Sequence, residues 1–344
     1  MKLNQQKTYI TTFSLLLIAL ICIWFLNISL GSVSIPFTEI ISSIFGGEIS
    51  KDSWQTIIIN YRLPKAITAI LVGSGLAISG LLMQTLFRNP LAGPFVLGIS
   101  SGASLGVALL ILGSSLIGGV STLLLSNFGM AIAASLGAFF VLSAVLIASN
   151  RVRNTMSILI IGLMFGSITS AVISVLSYFS SAEQLQQFIF WGFGSLGNLS
   201  WNELKIFSII FMIGISLLAL IIKPLNSLLL GENYAKSVGV NIKKMRSITL
   251  ITTSILTGVI TAFAGPIAFV GLAVPHLTKL LFNTSDHKIL LPAVAISGAI
   301  LMLIADIIAQ LPASQYTLPI NAITSLFGAP IVIWLLIRKR KIYI

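Results

Sequence analysis

The chain has 344 residues, of which 56% are hydrophobic and only 8% charged, with a mean hydropathy of +1.05. A soluble domain carries about 25% charged residues, so a water-soluble core is excluded and a polytopic helical membrane protein is the direct reading. The net charge of +12 comes from basic residues flanking apolar runs, a pattern that orients a membrane protein and does not point to nucleic acid, and the single cysteine, Cys22, excludes a disulfide within the chain.

Hydropathy divides the chain into ten expected spans, roughly 10–30, 63–86, 95–113, 127–149, 156–179, 203–223, 247–264, 266–282, 289–309 and 321–337. The first run is long and lacks a small-residue cleavage site, so it reads as a retained span. The segment Arg88-Asn-Pro-Leu-Ala-Gly-Pro94 is a turn between the second and third spans, its prolines ending one helix and starting the next. Between the sixth and seventh spans lies a polar island, Gly231 to Arg246, too polar for lipid and too short for a domain. Gly265-Pro266 separates the seventh and eighth spans, and Gly328-Ala-Pro330 interrupts the last.

Charge supports this count. With the N-terminus placed in the cytoplasm, alternation puts sixteen of the twenty basic residues inside, leaving only Lys51, Arg62, Lys65 and Lys205 outside. Five of the eight acids, Glu39, Glu48, Asp52, Glu183 and Glu203, also fall outside. Losing one span would scramble that segregation.

Small residues recur every four positions within the spans: Gly98, Gly102 and Gly106 in the third, and Gly162, Gly166, Ser170 and Ser174 in the fifth. Such rows let helix backbones approach closely within lipid. Packing inside the subunit is the plainer expectation, and a subunit interface or pathway the sharper one for the fifth-span row. No catalytic constellation and no metal-ligand cluster appears. Asp306 is the one plausible acid within a span, and His276 and His287 lie near the inner face. An intramembrane acid is a functional candidate by default, yet a polar contact at the helix end is the simpler expectation for all three. The chain carries no G-x-x-x-x-G-K-[ST], so it is not itself a P-loop ATPase.

Several motifs together resemble the permease subunits of bacterial ABC importers for iron-siderophores, haem and vitamin B12. They are Arg62-Leu-Pro-Lys65, Gly75-Leu-Ala-Ile-Ser-Gly80 continuing to Gln84, Arg88-Asn-Pro-Leu-Ala92 with Leu97-Gly-Ile-Ser-Ser-Gly102, Gly231 to Gly239, Gly265 to His276, and Leu318-Pro-Ile with Gly328-Ala-Pro330. The resemblance implies an all-α fold, a single transmembrane permease domain over 1–344 with ten helices, in the manner of a type II ABC importer. It implies a multi-pass protein of the cytoplasmic (inner) membrane with both termini in the cytoplasm. The partners it implies are two ABC ATPase subunits, an extracytoplasmic substrate-binding protein and a second permease, either an identical copy or a sister, all in membrane lipid. No cofactor and no enzymatic activity are implied.

The resemblance also assigns residues. The polar island becomes two short helices that seat in the ATPase, Leu228 to Val238 and about Ile242 to Arg246, with the bend at Gly239. Leu230, Gly231, Glu232, Ala235, Val238 and Gly239 are its coupling residues, the small ones allowing close approach. Arg62 and Lys65 take the positions of the basic residues that meet the binding protein. Relatives often carry a further Arg after the ninth-span Asp, where this chain has Gln310. The pathway would follow the fifth helix, with Gly162, Gly166, Ser170 and Ser174 on its lining and a cytoplasmic gate near Asn150 and Thr155. The cargo most in keeping with the family is a ferric chelate, with haem or cobalamin as alternatives. An ion-coupled secondary transporter is the competing class, and it would need membrane-embedded acids at mid-depth.

Overall fold

The computed structural model describes all residues except 1, 48, 116–124, 153–154, 312–313, 315 and 338–344. Among the described residues the chain is all helical. Its elements are α1 (Lys2–Ser29), α2 (Phe37–Phe45), α3 (Asp52–Ile57), α4 (Leu63–Phe87), α5 (Ile99–Ile111), α6 (Asn127–Arg151), α7 (Thr155–Tyr178), α8 (Ala182–Gly192), α9 (Trp201–Leu229), α10 (Glu232–Ser237), α11 (Ile242–Ala264), α12 (Val270–Phe282), α13 (His287–Ala309) and α14 (Ile320–Ile337). Among the described residues seven helices are long and apolar enough to cross a membrane, and α5, α12 and α14 are shorter apolar helices. Together these account for the ten expected spans, each within a few residues of its place in the sequence.

The bundle is built around α4, nearly all of whose residues are buried. Its glycines explain how other helices reach it. A Cβ at Gly73 would overlap the Gly298 carbonyl of α13, and one at Gly298 would overlap the Gly73 carbonyl. At the other half of α4, a Cβ at Gly80 would overlap the carbonyl of Gly271 in α12. Backbones in direct contact gain dispersion and exclude lipid without any hydrophobic drive. The third-span glycines do the same between α5 and α6: a Cβ at Gly106 would overlap the Ala133 carbonyl, and one at Gly102 would lie 2.6 Å from the Gly137 oxygen. The packing reading holds for that row.

Between α11 and α12 the backbone leaves the helix from Gly265 to Phe269. Non-helical backbone is tolerated at membrane depth only when protein satisfies it. Here the Ala268 N–H donates to Asn321 Oδ1 at 3.0 Å, the Gly265 N–H to the Thr261 carbonyl at 3.0 Å, and the Ala268 and Phe269 carbonyls accept from the Val270 and Ala273 N–H groups, each at 2.9 Å. Gly328 is required because a Cβ there would overlap Phe269 Cβ.

Three helices outside the expected spans were not foreseen, α2, α3 and α8. The start of α8 was nevertheless written in the chain. Ser181 accepts from the Gln184 N–H while the Gln184 side chain accepts from the Ser181 N–H, and Ser200 with Glu203 repeats this capping box at the start of α9. The island also differs from expectation. It forms one short helix, α10, and the residues Ile242–Arg246 are the opening turns of α11. Asn241 caps α11 by accepting from the Lys244 N–H at 3.0 Å, so the helix starts there and runs on into the span without a break.

Candidate functional site

Alternation of the spans gives the bundle two polar ends, one carrying α10 and the other carrying Arg62. At the α10 end, Gly231 (φ 119°) and Gly239 (φ 86°) bracket the short helix in backbone conformations that disfavour L side chains. Glu232 and Lys236 form an i,i+4 ion pair of 3.3 Å on its surface. Leu230 (68% exposed), Tyr234 (47%) and Val238 (53%) project outward four residues apart, an apolar row on an otherwise polar end. Ala235, expected at a partner contact, is fully buried and faces its own chain. The reason is helical phase: one residue beyond Tyr234 is about 100° around the helix. Tyr234 is the functional candidate the sequence reading missed; the four-residue spacing of Leu230, Tyr234 and Val238 could have revealed it.

At the opposite end, five residues of π-helix, Ile58–Arg62, lead into α4 and turn Arg62 toward the end of α1. Its guanidinium donates to the carbonyls of Ile28 at 2.6 Å, Ser29 at 2.8 Å and Val33. The Ile28 and Ser29 carbonyls are among those that the end of α1 leaves without intrahelical partners, and a cation there also suits the helix dipole. Lys65 Nζ lies 3.0 Å from Asp306 of α13. The same carboxylate accepts from Asn27 Nδ2 at 2.9 Å and Gln310 Nε2 at 2.6 Å. Both cations expected to point outward are therefore engaged inside the fold. Gln310 is a ligand of the Asp306 carboxylate. Arg62, Lys65, Asp306 and Gln310 line an open bowl of about 740 Å³, whose far wall is Phe190, Phe193 and Gly194.

The expected pathway row on α7 does not share one face. Successive i+4 positions drift by about 40°, so Gly162 and Ser174 are about 120° apart. Gly162 is buried against the start of α5, where a Cβ would overlap the Val96 carbonyl, and a Cβ at Gly166 would stand 3.3 Å from Ser101 Oγ. Ser170 and Ser174 are exposed, with Ser174 Oγ donating to the Ser170 carbonyl at 3.0 Å. Around them α7 exposes Ile160, Leu163, Met164, Ile168, Val172 and Val175. The glycines thus seat α7 on α5, and the serines belong to a broad apolar face turned away from the bundle. The side chains of Asn150 and Thr155 lie outside the described residues.

His276 Nε2 lies 2.7 Å from the Pro90 carbonyl, holding α12 against the turn after α4. No group of three or more His, Cys, Asp or Glu side chains among the described residues is arranged to hold a metal ion. Asp306, the one acid expected within a span, is held by Lys65, Asn27 and Gln310.

Comparison with known proteins agrees with this architecture. A family model described as the FecCD transport family matches residues 16–338. An ABC transporter permease of Bacillus subtilis (strain 168), YvrB, is 37% identical, covering 98% of this chain and 95% of its own. The vitamin B12 import permease BtuC of Klebsiella pneumoniae is 35% identical over 98% of this chain and 96% of its own. The hemin transport permease HmuU of Yersinia pestis is 35% identical over 95% of each. A solved structure of a metal-chelate type ABC transporter, in an inward-facing conformation, superposes with a TM-score of 0.82 at 30% identity, covering 95% of this chain and 99% of that one. The chain belongs to the FecCD transport family and is a multi-pass permease subunit of an ABC importer.

Proposed function

We propose that this permease carries a ferric siderophore inward, that α10 is the seat of its ATPase, and that the α10 end and both termini face the cytoplasm. The seat reading rests on one observation above all. A short helix held between two glycines of positive φ presents Tyr234 to the outside, with exposed Leu230 just before it and exposed Val238 at its C-cap, at the basic end of the bundle. Exposed apolar residues grouped in this way on a helix suit insertion into a partner's groove. The orientation follows from the excess of Lys and Arg on the side carrying α10.

The binding protein belongs at the opposite end, over the bowl lined by Arg62 and Lys65. Since both side chains are held by internal partners, the shape of the bowl and the backbone they organise would serve docking more than free charge. A second permease would pack on the exposed apolar face of α7, with the pathway between the two copies. The broad apolar face, with Ser170 and Ser174 as its few polar groups, suits a bulky, poorly discriminated cargo. Permeases for vitamin B12 and for hemin are equally similar relatives, and both cargoes are large metal chelates. A ferric chelate is the same class of load.

Two measurements test this. Purified with its binding protein, the system is screened with ferric siderophores, haemin and cobalamin. Tight binding of a ferric siderophore is the expected result, and exclusive binding of cobalamin or haemin reassigns the cargo. Separately, changing Leu230, Tyr234 and Val238 together to Asp is expected to abolish co-purification of the ATPase. The permease should stay folded, because these side chains are exposed. Undiminished co-purification would show that the ATPase sits elsewhere.

A further inference from the structure

Directly before α10, one run of side-chain hydrogen bonds joins the ends of three helices. Asn226 lies in the last turn of α9, Asp286 caps α13, His287 opens α13, and Thr85 lies in the last turn of α4. The direction of every bond follows from the carboxylate. Asp286 can only accept when ionised. It takes the Lys288 N–H at 2.9 Å and Asn226 Nδ2 at 2.6 Å. That orients the Asn226 amide with Oδ1 toward His287, where it accepts from the backbone N–H at 2.9 Å and from ring Nδ1 at 2.7 Å. The imidazole proton is therefore on Nδ1, leaving Nε2 to accept from the Thr85 hydroxyl at 2.9 Å. His287 and Thr85 are both buried. A second tie runs alongside, from Arg88 Nη2 to the Leu228 carbonyl at 2.8 Å.

Two residues before Asn226, Pro224 lies inside the continuous helix α9. Proline has no N–H and leaves the carbonyl four residues earlier without its helical partner, so the helix bends most easily there. The short stretch from Leu225 to Leu229 lies just beyond that point, is bound to α4 and α13 on its side, and continues through Gly231 into α10. Helices α4 and α13 are in turn joined at both ends, by Thr85–His287 here and Lys65–Asp306 at the opposite end, with the Gly73–Gly298 crossing between them.

We propose that Asn226, His287 and Thr85 are positioning residues that make α10, the last turn of α9 and the α4–α13 pair move as one body, with Pro224 as the hinge that leaves the rest of α9 behind. The proposal rests on α10 being the ATPase seat. It gives force applied at that seat a direct route into the most buried helix of the bundle, and along it to the Lys65–Asp306 pair at the far end.

The test uses the permease with its ATPase subunits in lipid, in a Cys22→Ser background. Spin labels are placed at Asn233→Cys in α10, an exposed position outside the Leu230–Tyr234–Val238 row, and Lys288→Cys in α13, and in a second sample at Asn233→Cys and Met212→Cys, upstream of Pro224. Retention of the ATPase is measured on the same material. With the clamp intact, ATP leaves the 233–288 separation unchanged and shifts the 233–212 separation. Asn226→Ala and the shape-conserving Thr85→Val let the 233–288 separation shift or broaden with ATP, and Thr85→Ser, which keeps the hydroxyl, restores the fixed value. A 233–288 separation that moves with ATP in the otherwise unaltered permease, or stays fixed in both Asn226→Ala and Thr85→Val, overturns the clamp. Undiminished retention of the ATPase by a permease with Leu230, Tyr234 and Val238 all changed to Asp overturns the seat reading itself.

Discussion

Replacing Gly80 with Val should leave almost no folded permease to extract from the membrane. The first added carbon would overlap the Gly271 carbonyl and lie 2.7 Å from Gly271 Cα. The obstacle is backbone, which no rotamer change can move aside. Overpacking a core costs about 1–3 kcal/mol when side chains can yield. Here α4 and α12 must separate, and their separation also strains the Gln84 side chain, which donates to the Leu272 carbonyl at 3.2 Å. The expected loss lies at or above the top of that range. Thermal unfolding of detergent-extracted protein, followed by size-exclusion chromatography, measures it. Gly192→Ala is the matched control: nothing lies within 4 Å of a Cβ at that position. A Gly80→Val protein as stable as the Gly192→Ala protein would contradict the α4–α12 contact.

Lys65→Met is the second large effect. It removes the cation from a carboxylate whose side chain is only 3% exposed. Breaking one side of a buried pair costs about 3–5 kcal/mol, mostly because the remaining charge is left uncompensated. The loss here should fall toward the lower part of that range, since Lys65 is 22% exposed and Asp306 keeps its bonds from Asn27 and Gln310. The double change Lys65→Met with Asp306→Leu should recover much of the stability, because no charge then remains buried. Unfolding measured for both single variants and the double variant gives the coupling directly. A double variant no more stable than Lys65→Met alone would mean that the carboxylate is not the source of the loss.

The spans were legible because each depends on local composition. A run of apolar residues must be helical in lipid to satisfy its own backbone, and basic residues flank it on one side. Contacts across long stretches of sequence were not legible in the same way. Arg62 looks like a free outer cation until Ile28, Ser29 and Val33 arrive at its guanidinium from another element. Lys65 meets Asp306, 241 residues away in sequence. The α7 row failed for a geometric reason, since a four-residue repeat drifts around a helix and cannot mark one face over three turns. Ala235 failed for a related one: its small side chain fits close contact, but the contact is with its own chain. Asn226, Thr85 and His287 attract little notice singly, and only folding assembles them.

The brevity of α5 and α12 bears on how the protein is made. Each has 13 residues in regular α-helix, about 20 Å at 1.5 Å per residue, against a hydrocarbon layer of about 30 Å. Neither could partition stably into a bilayer as a solitary segment. Each must be chaperoned across by a longer neighbour, α5 by α6 and α12 by α4, through the glycine contacts described above. Biogenesis would then proceed by insertion of helical hairpins, and damage at Gly102 or Gly271 would appear first as failed integration during synthesis, before any question of transport arises.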